Sequence, residues 1–290
     1  MRMEPEPARR SVVAICASAL ARRAAALALV LSACQTGEAP QPGRTEATAV
    51  EERTVALGGR LLVIDGFAGD VRVEVDSAAT GVHVRLVRRA SGATEASARE
   101  RLARVTVETG GDDELYQVVW RANSPGGAME PDDGLRADAV ATVPPGTPVV
   151  VRTLRGGVAV DGPTGDLDVG VGAGEIVVGR ASALRLRLDA RTGDITLAAA
   201  GIPSGAEWTV ETLAGNIDLS LSPGTNVDLD ASTDAGRVVD RGLGADSPGE
   251  TQRRMTLGRG GARLRAHTAA GTVTLGQATD IDDTETGQVD

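Results

Sequence analysis

WTVETLAGNIDL, residues 208–219, decides how the chain is read. Apolar residues stand at every second place on both sides of a glycine: Trp208 and Val210 before Gly215, Ile217 and Leu219 after it, with Thr209, Glu211 and Asp218 between them. A period of two is the pattern of a strand with one buried face, and the glycine marks a corner because it takes positive φ without a Cβ clash.

The unit recurs from about residue 144 onward. Its corners are Gly156, Gly174, Gly193, Gly215, Gly236 and Gly271, at spacings of 18, 19, 22, 21 and 35 residues, and Thr153, Thr212, Thr233 and Thr268 each stand three places before one of them. After the corners come Val158 and Val160, Ile176 and Val178, Ile195 and Leu197, Val273 and Leu275. Before them come Val149 and Val151, Leu167 and Val169, Leu186 and Leu188, Leu229 and Ala231, Leu264 and Ala266. Turns such as PPGT (144–147), GPTG (162–165) and SPGT (222–225) precede return strands. Two short strands cannot bury an apolar face alone, but stacked units share one continuous core. The expected fold is therefore all-β, a single β-solenoid of about six or more coils over residues 51–276 with one short helix.

Two regions are less regular. Arg237-Val238-Val239-Asp240 breaks the alternation, and Arg241 to Thr256 reads as an insertion projecting from one corner as a loop. In residues 51–143, Gly69 to Val73 already matches the corner-and-strand unit. Ala93 to Arg104 reads as a short amphipathic helix, and Val105 to Thr109 with Leu115 to Trp120 flank a hairpin turn at Gly110 to Asp113. Asn123 to Gly134 reads as a mobile loop. This half is expected to supply the first coils and a cap over the open end.

VPPGTPVVVRTLRGGVAVDG (143–162), LRLDARTGDITL (186–197) and WTVETLAGNIDL together resemble the bacterial toast-rack adhesin-like domain, whose T-x-x-G-D-[IV]-x-[VL] units repeat on a β-solenoid. The likeness covers about residues 51–276. It implies a non-enzymatic domain of the cell envelope, linked to adhesion or envelope stress.

The amino-terminal residues carry an address. Arg22 and Arg23 precede the apolar run Ala24 to Ala33, which is too short to span a bilayer, and Leu31-Ser32-Ala33-Cys34 has the form of a lipoprotein cleavage site. Residues 1–33 are thus expected to be a signal peptide and Cys34 the site of lipid attachment. Cleavage would also remove Cys16 and leave Cys34 as the sole cysteine, so no disulfide is expected. Residues 34–50 read as a flexible tether and 277–290 as a disordered acidic tail. The expected location is the cell envelope, and the outer membrane in a diderm host, since Gln35 is not the Asp that retains lipoproteins at the inner membrane.

Composition excludes several partners. The 30 basic residues are all Arg and face 40 acidic ones, a net charge of −10 that becomes −13 once residues 1–33 are removed, so nucleic acid is a poor partner. Phe67, Tyr116, Trp120 and Trp208 are the only aromatic residues, too few to line a cofactor pocket or stack on sugars. No cofactor is expected. The two histidines, His83 and His267, both fall on outward positions with no nucleophile motif beside them. Gly170-Val171-Gly172-Ala173-Gly174 runs into a strand rather than a helix and so cannot seat a pyrophosphate. Asp70, Asp166 and Asp194 follow glycines but do not match a calcium repeat, and turn polarity accounts for them.

The expectation is a lipid-anchored, non-catalytic binding or scaffolding module, with a polysaccharide-processing enzyme on a β-helix and an envelope stress sensor as alternatives. The outward columns argue against the enzyme: Val150, Asp168, Arg187, Thr209, Asp230 and Arg265 in one, Arg152, Gly170, Asp189, Glu211, Ser232 and His267 in another, with mixed signs throughout. The column three places after each corner differs. Ala159, Val177, Thr196, Asp218, Val239 and Thr274 are short and nearly uncharged. Ala159, Val177, Thr196, Val239 and Thr274 are accordingly the candidate partner face, suited to another protein unless the N-terminal coils or the insertion cover it.

Overall fold

The computed structural model describes residues 44–56, 59–112, 114–123, 134–244 and 250–278. The signal peptide, Cys34, residues 124–133 of the expected loop and the acidic tail from residue 279 lie outside them.

Each coil lays one strand in a pre-corner sheet and one in a post-corner sheet. Along the stack the pre-corner sheet runs β5 (Val105–Gly111), β6 (Leu115–Ala122), β2 (Leu61–Gly66), β8 (Val149–Arg155), β10 (Leu167–Ala173), β12 (Arg185–Thr192) and β14 (Glu207–Ala214). It continues with the first half of β18 (Arg263–Gln277), the first half of β16 (Val227–Arg241) and β17 (Gln252–Leu257). The post-corner sheet runs β1 (Thr45–Val55), β4 (Val82–Gly92), β7 (Leu135–Val143), β3 (Val71–Val75), β9 (Val158–Asp161), β11 (Ile176–Ala181), β13 (Ile195–Ala199) and β15 (Ile217–Leu221). The second halves of β18 and β16 complete it. The repeat coils pair in parallel, and β1, β4, β5 and β17 join antiparallel as terminal strands. The fold is an all-β solenoid.

Period-two side chains fill its interior. Leu62, Val149, Leu167, Leu186, Trp208, Leu264 and Leu229 stack as one inward row, and Ile64, Val151, Val169, Leu188, Val210, Ala266 and Ala231 as the next, all essentially without exposure. Full burial of each larger aliphatic side chain contributes about 1.5–3 kcal/mol. Both tryptophans lie in this core and keep their polar atom bonded: Trp208 Nε1 donates to the Ala183 carbonyl at 2.8 Å and Trp120 Nε1 to that of Ala68 at 3.2 Å.

The corner glycines form a spine. A Cβ on Gly193, Gly215 or Gly271 would strike the carbonyl oxygen of the corner glycine in the adjacent coil, so close stacking as well as positive φ requires glycine here. The recurrent threonine three places earlier is buried beneath the corner. In the later coils its hydroxyl donates to the neighbouring coil's glycine carbonyl, Thr268 to Gly215 at 2.8 Å and Thr233 to Gly271 at 3.0 Å, whereas Thr153 donates to the Arg155 carbonyl of its own coil at 2.9 Å.

Chain order and stacking order diverge at both ends. The first coil, β2 and β3, lies between β6/β7 and β8/β9. At the other end β18 slots between β14/β15 and β16, so the last coil in sequence is the last but one in space. The connection from β17 to β18 crosses the start of β16 and is fastened there. Asn226 Oδ1 accepts Arg259 N at 2.8 Å, while the Asp228 carboxylate accepts the Thr256 hydroxyl at 2.7 Å and Gly261 N at 3.3 Å.

Three boundaries differ from the sequence expectation. The second half of the insertion is not a loop but β17, paired along β16 from Val227–Leu257 to Ser232–Gln252. The alternation does not break after Gly236 either: Val238 and Asp240 both point inward, and Asp240 is buried against Arg253 at 3.2 Å and accepts Gly242 N and Leu243 N. Strand structure begins at Thr45 rather than near Glu51, since Glu46, Glu51 and Glu52 pair with Arg89, Arg88 and Arg85 of β4. The helix is α1 (Glu95–Leu102), opened by a reciprocal cap between Thr94 and Ser97, and only its Ala98 is buried. The hairpin is β5 with β6, as expected.

Candidate functional site

The two sheets present chemically different outer faces. In-register parallel stacking places equivalent residues side by side, so a column of one sign would repel itself; the pre-corner face mixes its signs instead, although Asp189 lies beside Glu211. Asp166, just before β10, and Arg185, Glu207, Arg263 and Asp228 on four successive strands follow one another. The pairs close laterally: Arg185 with Asp166 at 2.5 Å, Arg121 with Asp65 at 2.6 Å, Arg254 with Asp230 at 3.0 Å, and Arg152 with Asp168. Arg152 lies across Gly170, whose missing side chain makes the room. Part of this face is thus satisfied internally. Exposed Leu154 and Leu213 stand at its corner edge but are separated by Gly172 and Arg191, so they form no continuous patch.

The post-corner face carries the expected strip. In stacking order it reads Arg72, Ala159, Val177, Thr196, Asp218, Thr274 and Val239, with Thr274 and Val239 exchanged relative to the chain because β18 is inserted. Ala159, Val177, Thr196, Thr274 and Val239 are half-buried and Asp218 is exposed. Two residues on, a second outward row reads Asp161, Gly179 and, beyond a bulge, Ala198, Ser220 and Gly276. The described part of the insertion reaches only the end of this face: β17 runs along the pre-corner sheet, while Arg241 pairs with Gly276 and Glu250 bridges Val238 at the β16 edge. The middle of the post-corner face is therefore flat and built of small side chains, with Asp218 and the Asp161–Arg180 ion pair as its charges.

The aspartates that follow the corners serve the backbone. Asp138 accepts Asp70 N at 3.0 Å, Asp70 accepts Gly157 N at 2.8 Å, Asp194 accepts Asn216 N at 2.7 Å, and Asn216 in turn accepts Thr272 N at 2.9 Å. Asp166 instead holds Arg185. Glu175 lies in the same row, where partial burial first and the Asp194 charge second push its carboxyl above the ordinary range. Among the described residues no group of three or more His, Cys, Asp or Glu is arranged to hold a metal ion.

His83 is exposed on β4, whereas His267 has partners that sequence reasoning missed. Its Nδ1 lies 3.0 Å from the Ser232 hydroxyl and its Nε2 3.6 Å from the Asp234 carboxylate. Ser232 and His267 are 35 residues apart and become neighbours because β18 inserts beside β16, an order no local motif announces. Serine, histidine and an acid are the ingredients of acyl transfer, which also needs preorganised donors for the oxyanion and a buried acid to hold the ring. Here Ser232 lies on a flat strand, and the Asp234 side chain is 71% exposed, so water competes for the ring. The trio acts as a lateral tie between the last two coils.

No family model matches the sequence, and no curated protein matches it. Solved structures that overlap it include a proposed cell adhesion protein from Clostridium sporogenes, 12% identical, covering 80% of this chain and all of that one, with a TM-score of 0.44. A proposed adhesin from Bacteroides fragilis is 10% identical and covers 79% of this chain and 97% of its own, with a TM-score of 0.43. These carry the kind of name that the T-x-x-G repeat resembles, but overlaps this loose carry no argument about what the chain does.

Proposed function

We propose that the solenoid is a non-catalytic docking module of the cell envelope, held at the membrane by lipid on Cys34, in the outer membrane where the host has one. Its partner is another protein, met on the post-corner face at Ala159, Val177, Thr196, Thr274 and Val239. The difference between the two outer faces carries this reading. One carries rows of charge that are in part closed into ion pairs within the molecule, and the other offers a flat row of small, half-exposed side chains, which suits a protein surface better than a glycan that wants rings or polar clamps.

The test places a photo-crosslinking residue at Val177 or at Arg187 in the full chain in its own envelope. Adducts that form at Val177, fail at Arg187 and vanish when Thr196→Arg is added support the face. Equal yields at both positions overturn it. The anchor is tested by Cys34→Ser, which is expected to accumulate as precursor or leave the detergent phase, and a correctly processed mutant that still partitions into detergent would refute the lipid.

A further inference from the structure

β1 is a long strand with one open side. All 11 residues from Thr45 to Val55 pair with β4 in one unbroken antiparallel register, and among the described residues no strand pairs with the other edge. Such an edge is a template for strand addition, and proteins blunt it with proline, bulges, brevity or outward-facing charge. The other terminal strands are shorter, seven residues in β5 and six in β17. β1 is not shortened. It has no proline and no bulge, and the charges it does carry are matched by neighbours in the molecule, Glu51 with Arg88 at 2.5 Å, Glu52 with Arg85 at 3.4 Å, Glu46 with Arg89 at 3.7 Å and Arg53 with Glu51 at 3.8 Å, while α1 packs against both β1 and β4.

We infer that β1 is a dimerisation edge whose occupant is β1 of a second copy of this chain, paired antiparallel about a two-fold axis through Val50. The composition of the strand selects that register. Antiparallel hydrogen bonding lets two identical edges slide only in steps of two residues. The fully overlapped register opposes Val50 to Val50, Ala49 to Glu51, Thr48 to Glu52, Ala47 to Arg53, Glu46 to Thr54 and Thr45 to Val55, with no like charges facing each other. Sliding one step opposes Glu46 to Glu52 in one direction and Glu51 to its own copy in the other, which is unfavourable. Val50 is also the one large apolar residue of the strand that stands well exposed, at 49%, and it falls at the strand's midpoint, where two-fold pairing sets it beside its own copy. The contact is isologous and closes at two copies, because pairing uses up the open edge on each.

The experiment uses the full chain, detergent-extracted from its own envelope, and reads mass by sedimentation. The wild type is expected to sediment as a dimer. Val50→Arg and Val50→Glu should each be monomeric, since each sets like charges on the axis, and mixing the two should restore a dimer. Val50 lies on the outer row, and unchanged thermal melts of both variants will show that the fold is kept. Oxidation of Val50→Cys in intact cells should give a cross-linked dimer above the background of the native cysteines. A monomeric wild type, a dimer that survives Val50→Arg, or a mixture that stays monomeric would each overturn the inference.

Discussion

The Thr212 hydroxyl donates to the carbonyl oxygen of Gly193 at 3.1 Å, across the boundary between two coils. That bond joins the two recurrent residues of the motif in a single role, since the glycine lets adjacent corners approach and the threonine satisfies the carbonyl that the approach buries. Thr212→Val keeps the shape and removes the donor, so it is expected to cost about 1–3 kcal/mol in denaturant unfolding. Gly215→Ala should cost more, because an added Cβ meets the Gly193 carbonyl as well as the strain of positive φ. A smaller loss for Gly215→Ala than for Thr212→Val would refute this account of the spine.

Ile217 and Leu219 are fully buried while Asp218 between them is exposed. Ile217→Ala and Leu219→Ala should each lose about 2–5 kcal/mol, and Asp218→Ala about 0.5 kcal/mol or less. Chemical denaturation of the three variants decides the register directly, since equal losses would mean that the alternation is misread.

Asp240 occupies an inward position that Val or Leu fills in most coils, and its side chain is only 2% exposed against Arg253. Asp240→Ala removes the nearest counter-charge of Arg253, which keeps Glu250 at 3.6 Å, and leaves the amides of Gly242 and Leu243 without their acceptor, so it is expected to cost about 1–3 kcal/mol. Replacing both together, Asp240→Leu with Arg253→Met, should recover most of that loss. A double variant as unstable as the single one would show that the amides of Gly242 and Leu243 depend on the Asp240 carboxylate more than Arg253 does.

Two carboxylates should shift stability with pH in opposite senses. The Thr256 hydroxyl and then Gly261 N–H hold the Asp228 carboxyl below its ordinary range. Its stabilising effect is therefore complete above about pH 4 and is lost as pH falls through the lowered folded-state value. Thermal melts should show Asp228→Ala below wild type at neutral pH and the gap closing in acid. Glu175, pushed up by burial and by Asp194, favours the folded state while protonated and loses that advantage as pH rises through its folded-state value. Glu175→Gln should accordingly match wild type in acid and exceed it at neutral pH.

Much of the solenoid was legible because burial imposes a period of two wherever one face is covered, and Ile217, Leu219 and the corner glycines report that without help from distant sequence. The order of the coils was not. Every coil offers nearly the same inward row, so the pattern of Leu264 and Ala266 fits beside Trp208 and Val210 as well as beside Leu229 and Ala231, and it is placed beside both. β1 was missed because TEATAVEERTV has little apolar alternation; its glutamates are matched to arginines of β4 more than 30 residues away. The partner strip was visible as a column, but Ser232 with His267 was not, because their meeting depends on the inserted coil.

That insertion also bears on how the molecule can be made. A chain that emerges amino end first completes its outermost carboxyl-terminal coil, β16, before β18 exists, so β16 cannot take its final seat until the last strand arrives to occupy the gap beneath it. Assembly at that end is not vectorial, and a product that stops short of residue 263 has no finished form to settle into. The same arrangement constrains descent. Lengthening the stack by duplicating its final repeat would leave two claimants for one gap, so growth of such a solenoid is confined to the middle, where β8 through β15 follow one another in simple succession.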